Sequence, residues 1–256
     1  MGGYPKSGTT WICRMFAHYL ALPWFNMNDL IIGFNGVMHH HWIYHPSLAG
    51  TIYVMRDGRD VMVSVYMNMV KGYMARSIAL NDLGNRSAMN WLGSNLGRFA
   101  TISKRFRYLY GKQFDPLNVT ENLPKFVDAE LEDPFIVEAK LPWHLHIRDW
   151  LDNSESVTFV KYEDMLDDAQ SSLALLISQY ADVDLNETDL TYTTGRFSFK
   201  RMTGRNPGEE SRTSFARKGI RGDWRNYFNI ESRKIFNEYA GDLLIELGYE
   251  RDDQWV

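Results

Sequence analysis

Three stretches of the chain share one pattern, in which apolar or β-branched residues that suit a strand lead into a polar loop. The three strand-and-loop units are residues 1–4 with 5–10, 51–55 with 56–60, and 157–160 with 161–164. Behind the first loop, apolar side chains recur at helical spacing: Ile12, Met15, Phe16, Tyr19 and Leu20. A second helical run begins at Val61. Strands that alternate with helices predict an α/β fold with a central parallel sheet flanked by helices.

In such a sheet, ligands bind at the carboxyl ends of the strands. Because each polar loop follows a strand, we expect all three loops to converge on one site. The first strand is short, and two explanations stay open: the natural chain begins abruptly, or further residues precede Met1. Residues 72–140 predict helices and loops that cover the sheet rather than a separate domain. We therefore predict one domain over residues 1–256.

Composition narrows the class of protein without defining its function. Apolar residues make up 45% and charged residues 23% of the chain, as in a globular protein. The net charge of -4 argues against a general nucleic-acid binder. Cys13 is the only cysteine, which excludes a disulfide within the chain and favours a reducing compartment. Since the sequence has neither an apolar run of about 20 residues nor a signal-like leader, we predict a soluble cytoplasmic protein without a membrane span.

The first loop, residues 5–10, has the composition of a phosphate cradle. A loop that opens a helix presents backbone N–H groups and the positive end of the helix dipole. Gly8 allows an anion to approach closely, and Lys6 adds a positive charge. Three residues add hydroxyl donors: Ser7, Thr9 and Thr10. The lysine precedes the glycine, unlike in the nucleotide-hydrolase P-loop, and a plain turn with a hydroxyl cap is the alternative interpretation.

Two further segments carry cations. Arg56 ends the second strand and can donate two hydrogen bonds to a phosphate. Asp60 is placed to cap the following helix, and Ser64 lies about one turn into that helix. A surface charge cluster is the alternative for this segment. The stretch 215–224 holds three cations and two glycines, which suits closure over an anion, and a solvated loop is its alternative.

Four segments in this order resemble the motifs of sulfotransferases that use 3′-phosphoadenosine 5′-phosphosulfate (PAPS). They are residues 5–11, 56–64, 161–165 and 217–224. Residues 143–150 also resemble the helix that precedes the family's Tyr-Glu-Asp strand, so the likeness covers nearly the whole chain. The resemblance implies a single α/β domain with the P-loop nucleotide-kinase-like sulfotransferase fold.

The resemblance also implies roles for individual residues. The 5′-phosphosulfate would be held by Lys6, Ser7, Gly8, Thr9 and Thr10. The 3′-phosphate would be held by Arg56, Ser64, Arg217, Lys218 and Gly219. The remaining contacts with the nucleotide would come from Trp11, Tyr162, Ser198, Phe199 and Phe215. Phe197 departs from the family pattern, because a threonine usually stands there.

The acceptor of a sulfuryl group must lose a proton, so a general base is expected. The family carries Lys-Thr-His ahead of the second strand, and here His39-His40-His41 stands in its place. We predict His41 as the base, with His40 as the runner-up, and Lys6 as the residue that stabilises the leaving phosphate. Adjacent histidines also suit zinc, but consecutive residues on an extended chain point to alternate faces. We therefore predict no metal site and no metal requirement.

The predicted function is sulfuryl transfer from PAPS to a hydroxyl or amine of a small-molecule, lipid or glycan acceptor. Two alternatives stay open: a nucleotide-binding module without transfer activity, favoured by the altered Lys-Thr-His triplet, and a P-loop-type nucleotide kinase or hydrolase. Several residues either line an acceptor pocket or belong to the core: Trp24, Phe25, Met27, Phe34 and Trp42. The oligomeric state also stays open, because Asn229-Ile230 replace the Thr-Val of the dimerisation patch in animal cytosolic members.

Overall fold

A computed structural model describes residues 1–26, 35–48, 50–81, 96–134, 139–211, 214 and 216–256. The strands among these residues are β1 (Gly2–Gly3), β2 (Trp24–Asn26), β3 (Val37–His39), β4 (Thr51–Met55) and β5 (Val157–Lys161). The helices are α1 (Thr9–Tyr19), α2 (Gly58–Asn81), α3 (Leu96–Tyr110), α4 (Val119–Glu132), α5 (Trp143–Leu151), α6 (Tyr162–Asp167), α7 (Ala169–Tyr180), α8 (Glu187–Arg196), α9 (Phe199–Thr203) and α10 (Ile230–Glu246).

The central sheet has the order β1-β4-β5, with all neighbours parallel. Strands β2 and β3 form a second parallel pair. The main chain of Met1 links the two sheets, since its carbonyl accepts from the His40 N–H at 3.0 Å. The predicted α/β fold with a parallel sheet and flanking helices is confirmed. Residues 39–44, which begin with the three adjacent histidines and are called the histidine stretch below, run beside β1.

Apolar side chains bury both faces of the central sheet. On one face, Ile12 and Met15 of α1 are fully buried with Val54 of β4, as the helical spacing predicts. On the other face, α2, α4, α5 and α10 supply a larger cluster that includes Trp143 and Phe236. Each large apolar side chain that leaves water contributes roughly 1.5–3 kcal/mol to folding, so packing on both faces stabilises the sheet that carries the loops at its carboxyl edge.

Strand β1 ends at Gly3, where the chain turns into the loop that precedes α1. A Cβ atom on Gly3 would lie 2.5 Å from Thr9 Oγ1 and 2.8 Å from the Val54 carbonyl oxygen. Only glycine therefore lets the loop pack against the strand. Beyond Gly3, the buried Tyr4 hydroxyl donates to Glu130 Oε1 at 3.2 Å, which ties this end of the sheet to α4.

Candidate active site

The loop between β1 and α1 curls through two left-handed backbone positions. Lys6 has φ 72° and Gly8 has φ 87°. A Cβ atom on Gly8 would come within 2.5 Å of the Tyr162 ring, so a side chain cannot be placed there without displacing the ring. Helix α1 begins after Gly8 without a side-chain cap. Its first N–H groups are therefore left for another acceptor, which is how helix N-termini bind anions.

Two hydroxyl groups in this loop are buried without a partner. Ser7 is 1% exposed and Thr9 is 2% exposed. Among the described residues, neither Ser7 Oγ nor Thr9 Oγ1 has a hydrogen-bond partner. An unsatisfied buried hydroxyl costs about 1–3 kcal/mol. A phosphate or sulfate oxygen is the kind of acceptor that removes this cost, so the loop fits an anionic group.

Arg56, in the loop after β4, contacts the loop after β1. Its Nη1 donates to the Lys6 carbonyl at 3.0 Å, and its guanidinium carbon lies 4.4 Å from the centre of the Tyr162 ring. Tyr162 begins α6 directly after β5, so the structure brings together the loops of all three strands. Burial raises the pKa of the Tyr162 phenol, although the positive charge of Arg56 opposes the shift.

Asp60 connects Arg56 to a loop near the C-terminus, residues 216–224, which is called the basic loop below. Asp60 is not the cap of α2, since the helix begins at Gly58 and Asp60 lies inside its first turn. Its buried carboxylate accepts from the N–H groups of Gly222 at 2.7 Å and Trp224 at 2.8 Å, and lies 3.9 Å from Arg56 Nη2. Burial raises the pKa of Asp60, while Arg56 and the two N–H groups hold it down. Ser64 lies one turn further along α2 and is partly buried.

The basic loop is organised around Asp223. Lys218 Nζ donates to Asp223 Oδ1 at 2.8 Å, and Arg217 pairs with Oδ2 of the same carboxylate. Burial alone would lower the pKa of Lys218, but its hydrogen bonds to Asp223 and Tyr227 raise it, so the lysine stays charged. Gly219 has φ 62°, and any Cβ atom there would overlap the ring of Phe199. Phe215 lies outside the described residues.

Trp11, at the start of α1, packs against Tyr162 and the main chain of Phe197 beside the cradle. Trp11 Nε1 donates to the Phe197 carbonyl at 2.8 Å, and its ring meets the Tyr162 ring edge-on at 5.7 Å. Ser198 is exposed and caps α9, where its hydroxyl accepts from the Arg201 N–H at 3.4 Å. Phe199 therefore lies where α9 begins, against the basic loop.

The three adjacent histidines have different surroundings. His41 Nδ1 lies 2.6 Å from the Gly3 carbonyl oxygen, at the end of β1. His40 is 2% exposed and stacks on Trp42 with ring centres 4.9 Å apart. Burial, with smaller contributions from nearby positive groups, lowers the pKa of His40 to about 3. His39 is buried and stacks on Trp24 at 5.9 Å.

The alternating faces predicted for an extended chain are present, because His39 and His41 lie on one side and His40 on the other. Across the residues that the structure describes, no group of three or more His, Cys, Asp or Glu side chains is arranged to hold a metal ion. Of the proposed acceptor-pocket residues, Trp24 and Trp42 pack on histidines, whereas Met27 and Phe34 lie outside the described residues.

Sequence reasoning missed His146 and Tyr53. His146 is fully buried on α5, and its Nδ1 lies 2.7 Å from the Tyr53 hydroxyl. Its Nε2 lies 3.1 Å from the carbonyl oxygen of His41. The available signal was a histidine on the apolar face of a helix, between Trp143 and Trp150. Nothing in that pattern shows that it reaches the histidine stretch.

Comparison with known proteins gives the class. The family described as "Sulfotransferase domain" matches residues 40–248, and the chain belongs to this family. Sulfotransferase 1B1 of Canis lupus familiaris is 30% identical over 255 residues, which cover 91% of this chain and 79% of the relative. The amine sulfotransferase of Oryctolagus cuniculus is 28% identical over 159 residues, 54% of this chain and about half (49%) of its own length.

Solved structures agree on the fold. Mouse sulfotransferase SULT7A1 complexed with PAP superposes with a TM-score of 0.62 at 17% identity, covering 97% of this chain and 87% of that one. Retinol dehydratase in complex with androsterone and the inactive cofactor PAP gives a TM-score of 0.52 at 20% identity, covering 85% of this chain and 55% of that one. In the described part of the protein, we find no helix with the length and apolarity that crossing a membrane requires.

Proposed function

We propose that this protein transfers the sulfuryl group of PAPS to a hydroxyl or amine group of a small-molecule acceptor. The observation that carries the proposal is the pair of buried hydroxyls, Ser7 and Thr9, that lack a partner among the described residues. They lie in a left-handed loop at an uncapped helix start, beside Arg56. These features favour a site for an anionic group over a turn that is complete in itself.

The cradle would hold the 5′ end of the nucleotide. Its proposed contacts are the hydroxyls of Ser7, Thr9 and Thr10 and the backbone N–H groups of residues 8–10, together with the ammonium group of Lys6, whereas the Ser7 N–H donates to the Tyr4 carbonyl at 3.1 Å. Relatives crystallised with PAP support the choice of nucleotide. When bound, PAPS supplies a sulfuryl group whose bond to a 5′-phosphate oxygen breaks as a bond to the acceptor oxygen or nitrogen forms. Lys6 would stabilise the charge that develops on the leaving phosphate.

The 3′-phosphate would lie between α2 and the basic loop. Its proposed ligands are Arg56, Ser64, Arg217, Lys218 and Gly219. Asp60 supports this arrangement, since it lies against Arg56 and also accepts the N–H groups of residues 222 and 224. The base and ribose would lie among Trp11, Tyr162, Ser198 and Phe199.

The proton of the acceptor would pass to His41. The bond to Gly3 places this imidazole at the end of β1, two residues before the cradle begins. Burial lowers the pKa of His40 to about 3, and a nitrogen of such low basicity is a weak proton acceptor at neutral pH. The environment of the two rings therefore favours His41 over His40.

A nucleotide-binding module without transfer activity is the second candidate. The observation that favours it is His39, which replaces the lysine of the family triplet and is buried against Trp24. A buried imidazole stacked on an indole cannot supply the mobile charge of a lysine.

One assay separates the two candidates. Radiolabelled PAPS is incubated with the protein and a panel of alcohols, phenols and amines, with calorimetry of adenosine 3′,5′-bisphosphate and ATP alongside. Sulfuryl transfer is expected, together with a preference of roughly 10- to 100-fold or more for the bisphosphate, since ATP leaves the second phosphate site empty. Tight bisphosphate binding without turnover favours the binding module, and equal affinities for both nucleotides contradict the two-phosphate site.

A further inference from the structure

Helix α5 holds the histidine stretch by three side chains on one face. His146 Nε2 lies 3.1 Å from the His41 carbonyl oxygen. One turn later, Trp150 Nε1 donates to the Trp42 carbonyl at 3.1 Å, and the Asp149 carboxylate accepts the N–H of Tyr44 at 2.6 Å. Residues three and four apart share a helix face. The main chain from 41 to 44 is therefore attached to α5 at successive points.

The hydrogen positions on His146 follow from its partners. A carbonyl oxygen only accepts hydrogen bonds, so Nε2 must carry the hydrogen that reaches the His41 carbonyl. His146 is fully buried, and burial lowers its pKa, which keeps the ring neutral with a single N–H. Nδ1 must then accept, and the hydroxyl of Tyr53, 2.7 Å away, is its donor.

The same reasoning fixes the ring of His41. Its Nδ1 lies 2.6 Å from the Gly3 carbonyl oxygen, so this nitrogen carries a hydrogen. In a neutral imidazole, the lone pair that accepts a proton is then on Nε2. Which way this nitrogen faces depends on the main chain at His41, and that is the point where His146 makes its bond.

We propose that His146, in its Nε2–H form and held by Tyr53, is a positioning residue that fixes the His41 main chain so that Nε2 of His41 takes the acceptor's proton. The inference rests on the proposed function, because it assumes His41 as the base. A packing role alone does not explain a histidine here. Its neighbours Trp143, Ile147 and Trp150 are all buried, and a leucine would fill this space without the cost of burying two polar nitrogens.

The first test does not depend on turnover. Nitrogen-15 NMR of the histidine side chains in the full-length protein is expected to show His146 with its hydrogen on Nε2 and His41 with its hydrogen on Nδ1. In Tyr53→Phe, the hydrogen is expected to stay on Nε2, because the His41 carbonyl still accepts it, while the nitrogen-15 shift of Nδ1 changes as that nitrogen loses its hydroxyl donor. A hydrogen on Nδ1 of His146 in the wild-type protein overturns the proposal.

The second test replaces His146 with glutamine or asparagine, whose side-chain amides each reach the position of only one of the two imidazole nitrogens. In His146→Gln, the amide nitrogen reaches the position of Nε2 and can donate to the His41 carbonyl. In His146→Asn, only the contact with Tyr53 is retained. Misplacing the base is expected to lower kcat by about 10- to 100-fold in the Asn variant, with KM for PAPS and the affinity for adenosine 3′,5′-bisphosphate nearly unchanged. The Gln variant is expected to recover most of kcat.

His144→Leu is the matched control. His144 lies on the same helix, but its ring faces Tyr239 on α10 at 5.8 Å, so kcat is expected to stay close to wild type. Equal losses of kcat in His146→Gln and His146→Asn contradict a role through the His41 carbonyl. If the wild-type protein transfers sulfuryl groups to no acceptor, the proposed function fails, and the NMR arm still decides whether His146 fixes the ring of His41.

Discussion

The phosphate cradle and the histidine stretch flank the same short strand, but they are positioned in different ways. The cradle takes its shape from its own six residues, through left-handed φ angles at Lys6 and Gly8 and an uncapped helix start. The histidine stretch has no such local determinant. Its main chain is held by side chains of α5, 105 residues further along the chain in the case of His146 and His41. Local sequence thus shapes the phosphate cradle, whereas tertiary contacts build the end proposed for proton transfer.

The two regions also differ in charge. Four cations, Lys6, Arg56, Arg217 and Lys218, are the proposed ligands of the nucleotide. Burial opposes the charge on Lys218, but its hydrogen bonds to Asp223 and Tyr227 raise its pKa. At the other end, burial lowers the pKa of His40 to about 3 and keeps that ring neutral. Permanent charge suits binding of a nucleotide with two phosphate groups, whereas proton transfer needs a ring that is neutral at working pH.

The largest expected effect is at the histidine end. His41→Ala is expected to lower kcat by about 10²- to 10⁴-fold, because the acceptor's proton loses its base. The affinity for adenosine 3′,5′-bisphosphate, measured by calorimetry, is expected to stay nearly constant, since the cradle is built independently. Near-normal turnover in His41→Ala with an inactive His40→Ala would move the base by one residue. Activity in both variants would leave the proton to a carboxylate or to the acceptor itself.

The second prediction divides roles within the donor end. Lys6→Ala is expected to reduce kcat more than it reduces binding, because Lys6 acts on charge that develops during transfer. Arg56→Ala is expected mainly to raise the Kd for the bisphosphate, by about 10- to 100-fold for a lost charge-assisted contact. Steady-state kinetics and calorimetry on both variants provide the comparison. The same pattern of losses in both would show that no such division exists.

The third prediction concerns the connection between α2 and the basic loop. Asn in place of Asp60 accepts at one oxygen only and turns an amide toward the second N–H group. Asp60→Asn is therefore expected to lower the free energy of unfolding by about 1–3 kcal/mol and to weaken bisphosphate binding. Urea denaturation and calorimetry measure the two effects, with the exposed Asp182→Asn as control. Reduced stability with unchanged affinity would restrict Asp60 to the fold.

The fourth prediction concerns the pH dependence of stability that buried histidines impose. The unfolded chain protonates His40 near pH 6.5, whereas in the folded protein burial is the main cause that lowers its pKa to about 3. Between these values the unfolded state binds more protons, so stability falls as the pH falls, by up to about 1.4 kcal/mol per pH unit.

Replacing this ring tests the sign of that effect. His40→Phe is expected to flatten the decline in urea midpoint between about pH 7 and about pH 5. Part of the slope is expected to remain, because burial also lowers the pKa of His144 and His146. A slope identical to that of the wild-type protein would mean that His40 is protonated in the folded state.

Local sequence was enough to predict the parts of this protein that are built from residues adjacent in the chain. Strand, loop and helix follow one another at residues 1–19, so periodicity and loop composition predicted the parallel sheet, the buried face of α1 and an anion-binding loop. The family resemblance rested on four such short segments, and the match over residues 40–248, which includes the last three of them, confirms the family. Backbone conformation and helix dipoles act over a few residues, which is why sequence alone is informative there.

Only the tertiary structure showed which hydrogen-bond partners the buried polar side chains have when those partners are distant in sequence. Asp60 looked like a helix cap, but its carboxylate reaches Gly222 and Trp224, 162 and 164 residues away. His146 looked like one more residue of an apolar helix face, yet it lies between Tyr53 and the main chain of His41. A buried polar group bonds whichever partner the packing brings within about 3 Å, and packing depends on the whole sheet rather than on neighbouring sequence.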